Sequence, residues 1–414
     1  MESGRNLSVA ALGGGTGLSS LLQGLKHVVD DLTAIVAVSD DGGSSGRLRA
    51  DLGCIPPGDI RNCLVALAEA QPLMKELFQY RFHAPGKGLD GHAFGNLLIA
   101  ALADITGSFE TAISETGKVL AIRGRVLPLS LARIDLRGHM GDGVWIRGES
   151  AITAYPAPIE RVELDPFDPE PLPEAIQAIE NAALITIGPG SLYTSVIPTL
   201  LPNAVRTALC RSTGVKVYVC NVMTQPGETT GYTASDHVRA LQKHGAGDCF
   251  DFVLVNTEPP PPDAAERYRR TGAGPVAADL DAIAKLGYIP VAAPLLNMDQ
   301  FVRHDPRKLA NALRWIWGGW QTERPSPPSS PQTGVRSGRP SRAKSSRLWR
   351  KQAPGRLNPS SGSQWRETLG SARSKGAWLG IQADEARIPE KDPPFPTGRL
   401  QGNPCPGGAF GHLG

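Results

Sequence analysis

The feature that most constrains the fold of this 414-residue chain is a recurring unit: a short apolar run, then glycine or polar residues, then a segment of helical periodicity. The apolar runs fall at 9–12, 33–39, 183–187, 215–222 and 252–256. Each is nearly all apolar, as strands buried on both faces of a helix-covered parallel sheet must be. Helical periodicity marks 18–27, 60–78, 94–105, 109–120, 192–200, 234–243, 279–286 and 306–317. This order predicts an α/β fold with a doubly wound, mostly parallel, Rossmann-like sheet. Residues 125–154 break the pattern with strand-like pieces at 126–131 and 144–147 and turn glycines Gly138, Gly141 and Gly143. They predict a small inserted antiparallel element.

The last quarter of the chain differs in kind. Residues 321–414 hold 13 Pro, 13 Gly and 12 Ser, too little apolar surface to offset the entropy of ordering. The division expected is a nucleotide-binding domain at 7–318 and a disordered, basic, Pro/Gly/Ser-rich tail at 319–414. The tail carries 15 Lys+Arg against 6 Asp+Glu, so the whole-chain excess of +3 belongs to it and the folded part is acidic. An acidic body argues against nucleic acid, which demands a basic face on the fold. Six cysteines with no CxxC pair suggest neither a disulfide framework nor a structural zinc. Without a secretory segment or an apolar stretch of about 18 residues, the expectation is a cytoplasmic protein with no membrane span.

Six motifs could carry chemistry. The first run leads into Gly13, Gly14, Gly15, Thr16 and Gly17, where glycine lets a phosphate approach backbone N–H groups at a helix start. A plain tight turn is the alternative. It is neither a GxGxxG fingerprint nor a P-loop. The second run ends in SDDGGSSGRLR: Asp40 and Asp41 suit ribose hydroxyls or Mg²⁺, and Ser44 offers a hydroxyl, though Asp-Asp-Gly-Gly is also a turn. In Gly58-Asp59-Ile60-Arg61-Asn62, Asp59 reads as an N-cap. Arg61 and Asn62 then fall in the first turn, where a cation is disfavoured unless an oxyanion lies near. His92 and Asn96 are four apart and can share one helix face. Gly188, Gly190 and Ser191 form a second glycine junction, and two such junctions suit a diphosphate. Ser191 can equally be an N-cap. Asn221 and Thr224 lie in a polar loop after the fourth run, where ligand-reading loops tend to be.

In this order, GGGTGLSSLLQGLK, SDDGGSSGRLR, GDIRNCLVALA, GHAFGNLLIAAL, GPGSLYTSVIP and NVMTQPGETTGYTASDHV resemble the YvcK-type gluconeogenesis factor family, related to 2-phospho-L-lactate transferase. The resemblance spans 7–317 and implies a CofD-like fold. It implies a cytoplasmic binder of UDP-sugars such as UDP-N-acetylglucosamine, acting on cell shape and on growth on gluconeogenic carbon. Its sugar-nucleotide contacts would fall on Tyr268 and Arg303. In the transferase branch, Asp40 and Asp41 would hold Mg²⁺ while a phospho-lactyl or enolpyruvyl phosphate group passes from a guanosine diphosphate-type donor to a deazaflavin. Ser-Asp-Asp-Gly-Gly-Ser-Ser-Gly is the form of the gluconeogenesis-factor branch. Some members carry a phosphorylated Thr where Pro306 stands, so that regulation is expected to be absent. Catalytic residues stay unassigned, and a homo-oligomer and cell-wall synthesis proteins are admitted as partners.

Overall fold

The protein is described here by a computed structural model covering residues 7–297, 302–323 and 379–381. In chain order its strands are β1 (Ser8–Gly13), β2 (Asp31–Val36), β3 (Arg125–Pro128), β4 (Asp135–Met140), β5 (Trp145–Arg147), β6 (Ile159–Asp165) and β7 (Leu184–Ile187). They continue with β8 (Val215–Val219), β9 (Phe252–Asn256), β10 (Ile289–Ala293), β11 (Leu296–Asn297), β12 (Arg303–His304) and β13 (Leu379–Gly380). The first seven helices are α1 (Gly15–Leu25), α2 (Gly43–Leu52), α3 (Gly58–Leu67), α4 (Pro72–Gln79), α5 (Phe94–Thr106), α6 (Phe109–Val119) and α7 (Glu149–Ala154). After them come α8 (Pro173–Asn181), a π-helical turn Leu192–Val196 leading into α9 (Ile197–Leu200), and α10 (Asn203–Arg211). The last are α11 (Ala234–Lys243), α12 (Pro262–Arg270), α13 (Leu280–Lys285) and α14 (Pro306–Glu323).

Eight strands form one parallel sheet in the order β13-β10-β9-β8-β7-β1-β2-β3. From β1 the chain first winds outward through β2 and β3. It then returns to the other flank of β1 and winds away through β7, β8, β9 and β10. The strand order therefore reverses between β1 and β7, and in open α/β sheets a crevice opens at the carboxyl ends of such a pair. The predicted doubly wound α/β class is what is observed.

Alternate residues of each central strand feed opposite cores. Val9 and Ala11 of β1, with Val217 and Val219 of β8, join α1, α3 and α14 on one face. Ala10 and Leu12, with Tyr218, join α8, α10 and α11 on the other. Burial on both faces is why these strands are apolar throughout. Helix α11 starts with a capping box: the Asp236 N–H donates to Thr233 Oγ1, and the Thr233 N–H donates to Asp236 Oδ2. Thr233→Ala is expected to lower the unfolding free energy by about 1 kcal/mol, read by urea denaturation.

Three expectations need correction. The piece at 126–131 does not belong to the antiparallel insertion. Its first half is β3, which pairs in parallel with β2 and buries Val126 and Leu127 on opposite faces of the main sheet. The insertion is instead β5-β4-β6, using 159–165 as its third strand. The single helix expected at 60–78 is two, because the chain turns extended at Ala68 and restarts at Pro72, a residue suited to a first helical position. Within the segment read as disordered, α14 runs on to Glu323, and Leu379 and Gly380 pair with Val291 and Ala292 of β10. The remainder of that segment lies outside the described residues. No helix among the described residues is long and apolar enough to cross a membrane.

Candidate functional site

The two glycine junctions, at the ends of β1 and β7, touch one another. A Cβ on Gly17 would stand 2.7 Å from the Pro189 carbonyl oxygen and 2.9 Å from the Gly190 nitrogen, and one on Gly190 would stand 3.1 Å from the Gly14 carbonyl oxygen. Only glycine permits this approach. Gly15 and Gly188 also lie at positive φ (+64° and +74°). Thr16 is exposed, and Ser191 is half-buried at the start of the π-helical turn, where its side chain makes no capping bond. Asn221 clasps the second junction from the end of β8. Its Nδ2 donates to the Gly190 carbonyl at 2.8 Å and its Oδ1 accepts from the Gly190 N–H at 3.3 Å.

Carboxylates surround this mouth, and two of them, Glu149 and Glu228, carry no mark in the sequence. Asp59 is not the N-cap of α3. Pro57 holds that place, and Asp59 Oδ2 instead accepts the Gly15 N–H at 2.7 Å, tying α3 to the first junction. Burial, then the neighbouring Asp40 charge, raises Asp59 to about 6, against the pull of that N–H and of Arg61. Glu228 accepts from the Tyr193 N–H and the Thr194 hydroxyl, each at 3.1 Å, and burial raises it to about 7. Glu149, at the start of α7, is pushed up to about 9 by burial and by the charges of Asp40, Asp59 and Glu228. At neutral pH Glu149 therefore keeps its proton, so it can donate a hydrogen bond and does not repel an anion.

Asp40 and Asp41 separate in role. Asp40 is half-buried at the mouth, with Oδ1 accepting the Gly42 N–H at 2.8 Å. Asp41 Oδ1 accepts the Ser150 N–H at 2.9 Å, anchoring α7 and with it Glu149. Among the described residues no three His, Cys, Asp or Glu side chains are grouped to hold a metal ion. Each aspartate has one oxygen on a backbone N–H and its second oxygen left over, so Asp40 and Asp41 could supply at most a part of the oxygen shell that Mg²⁺ takes.

Ser44 gathers the next group. Its Oγ accepts from the Ala93 N–H (3.3 Å) and from Asn96 Nδ2 (3.1 Å), which leaves its own hydrogen for His92 Nδ1 at 3.2 Å. The structure brings Ser44, His92 and Asn96 into one buried cluster that fixes the imidazole with Nε2 protonated, but the helix face expected for His92 and Asn96 is corrected: α5 begins at Phe94 with Ala93 as its N-cap, so His92 lies ahead of the helix. Burial, then Arg47, lowers the His92 pKa and keeps the ring neutral. Arg61 is 4% exposed, with Nη2 donating to Asn62 Oδ1 at 2.8 Å.

Three other expected residues lie apart from the glycine mouth. Thr224 is engaged as a clip: its N–H donates to the Gly274 carbonyl and its hydroxyl accepts the Gly274 N–H. Tyr268 packs against a small cluster of Val222, Met223, Ala264, Leu296 and Val302. Arg303 follows Val302 and is exposed in β12, which pairs antiparallel with β11. This patch also stands at the carboxyl side of the sheet, because α12 follows β9 and the β11–β12 hairpin follows β10. A cleft of about 340 Å³ lined by Thr224, Arg269 and Gly274 lies beside the Thr224 clip. Another, of about 380 Å³, lies between β6 and α11 and is lined by Glu160, Tyr193, Tyr232, Arg239 and Lys243. The glycine junctions line neither.

The family described as 2-phospho-L-lactate transferase CofD matches residues 9–296. The gluconeogenesis factor of Bacillus subtilis is 48% identical over 311 residues, covering 75% of this chain and 98% of that one. The gluconeogenesis factor of Halalkalibacterium halodurans is 49% identical over 307 residues, covering 74% and 95%. A crystal structure of a UPF0052 family member from Bacillus halodurans superposes with a TM-score of 0.73 at 48% identity, covering 75% of this chain and all of that one. The sheet, its paired glycine junctions and these likenesses lead to one conclusion: the chain belongs to the CofD family, with the YvcK-type gluconeogenesis factors as its relatives.

Proposed function

We propose that this protein is a cytoplasmic binder of a nucleotide diphosphate sugar of the UDP-N-acetylglucosamine type, acting as a gluconeogenesis factor in control of cell shape. The observation that carries the reading is the contact of two strand–glycine–helix junctions at the reversal point between β1 and β7. Backbone N–H groups and a helix start there can take a diphosphate without any side-chain cation. A protonated Glu149 removes a negative charge that would otherwise repel it. Asp40 can accept from ribose or sugar hydroxyls. The Tyr268 ring offers a face for a base, and Arg303 a forked donor for a phosphate oxygen.

Calorimetric titration tests this. UDP-N-acetylglucosamine is expected to bind without added metal, and Arg303→Ala to weaken it about tenfold, the worth of one charged hydrogen bond. Binding of GDP and a deazaflavin, with Mg²⁺-dependent product formation, would move the protein to the transferase branch.

A further inference from the structure

Arg61 poses a problem that the nucleotide does not solve. Its guanidinium is buried in the first turns of α3, yet Nε and Nη1 have no hydrogen-bond partner. The side chain crosses the start of α5, with Cδ 2.9 Å from where a Cβ on Gly95 would stand. Two more arginines reach the same turn. Arg81 Nη1 donates to the Gly91 carbonyl at 3.1 Å, and Arg47 Nη2 lies 3.3 Å from the Cβ position of Gly91. Among the described residues none of the three forms a salt bridge. The Arg81 charge acts on Arg61, and burial together with that repulsion lowers Arg61 to about 10. Asp59 and Asp40 act on Arg61 through their charges and offset this in part, but neither bonds it. Three guanidinium groups gathered without an ion pair, one of them buried with idle donors, form a receptor for an anion. The starts of α2 and α5, both more than two turns long, meet at this corner through Ser44 and bring the positive ends of their dipoles to it.

We propose that the turn at 91–96 is an anion subsite for a phosphate monoester dianion, separate from the glycine junctions, held by Arg61 Nε and Nη1 with Arg47 and Arg81 supplying charge. The dianion matches the excess of cationic groups, and forked N–H donors fit its oxygens. Asp59 reaches the first glycine junction from α3, while Arg61, two residues on, reaches the start of α5, so the two sites share that helix but lie on different sides of it. This deepens the reading above and rests on it only for what occupies the glycine junctions.

The test uses the full chain at constant ionic strength, with inorganic phosphate and glycerol 3-phosphate as probes and UDP-N-acetylglucosamine titrated separately. Wild type is expected to bind a probe, Arg61→Lys to weaken it about tenfold or more, and the exposed Arg81→Ala several-fold. UDP-N-acetylglucosamine affinity is expected to stay within about twofold of wild type in both variants. Preference for glycerol 3-phosphate identifies a phosphorylated metabolite, and preference for inorganic phosphate identifies the free ion. Either upholds the subsite. Absence of probe binding to wild type overturns it, as does probe affinity unchanged in both Arg61→Lys and the Arg47→Ala/Arg81→Ala pair, or one-for-one competition with the nucleotide. If Arg61→Lys does not fold, the Arg47→Ala/Arg81→Ala pair decides alone. Arg61-dependent phosphate binding in a protein that ignores UDP-N-acetylglucosamine overturns the nucleotide reading and leaves the subsite standing.

Discussion

Gly17→Ala is expected to weaken nucleotide binding about a hundredfold while leaving a folded protein. The added methyl would meet the Pro189 carbonyl carbon and oxygen at 2.8 and 2.7 Å and the Gly190 nitrogen at 2.9 Å. All three are backbone atoms, and Asn221 clasps Gly190 from both its N–H and its carbonyl. The second junction therefore cannot yield locally, and the two loops must part. Overpacking of this kind typically destabilises by about 1–3 kcal/mol, within what a domain of this size tolerates. Parting the loops by a fraction of an ångström misaims at least two N–H donors at one diphosphate. Each such charged bond is worth about 1.5–3 kcal/mol, and two together account for about two decades of affinity. Gly88→Ala, with nothing within 4 Å of its added carbon, is the control and should change stability by less than about 0.5 kcal/mol. Circular dichroism would confirm folding and calorimetry would read the affinity. Wild-type affinity in Gly17→Ala would place the nucleotide away from the β1–β7 crevice.

The sequence carried the sheet better than the site. Strands β1, β2, β7, β8 and β9 were legible because burial on both faces makes them apolar at every position. β10 was not, since Pro290 cannot donate to a ladder and argues against a strand, yet it pairs with Val253. The sequence does not reveal the sheet to which β3 belongs, because a four-residue edge strand does not state its partner. Within the site, each glycine junction could be read from neighbours in the chain, but their contact could not, because Gly17 and Pro189 meet only through the β1–β7 pairing. Asp59 shows the same limit. Locally it has the position of a cap, and its actual partner, Gly15, is 44 residues away. Glu228 lay inside a recognised motif without being singled out, whereas Glu149 lay in the insertion, where no spacing rule points to a carboxylate. The Arg61 conflict was visible as a cation in a helix's first turn. What the fold adds is that two more arginines arrive there from α2 and from the residues just after α4.

Glu149→Gln should change how stability depends on pH, and the direction follows from the raised carboxyls. Glu149 at about 9, Glu228 at about 7 and Asp59 at about 6 all lie above their ordinary values of 4.5, 4.5 and 3.8. A carboxyl raised in the native state holds its proton after the unfolded chain has released its own. Its contribution is complete below the unfolded pKa and is lost as pH rises through the folded one. These carboxyls lower stability as pH rises between about 4.5 and 9; the buried His92, His237, His244 and His304, with lowered pKa values, work the other way below about pH 6.5, so the fall is clearest in the upper half of the window, where Glu149 dominates. The amide keeps the shape beside Thr194 and has no proton to surrender. Glu149→Gln is expected to match wild type at pH 5 and to unfold several degrees higher at pH 8.5. Calorimetric melts across pH 5–9 read both the shift and the slope. Parallel curves for the two proteins would mean that Glu149 ionises as freely in the fold as outside it, and the mouth would then meet a diphosphate with its full set of carboxylate charges.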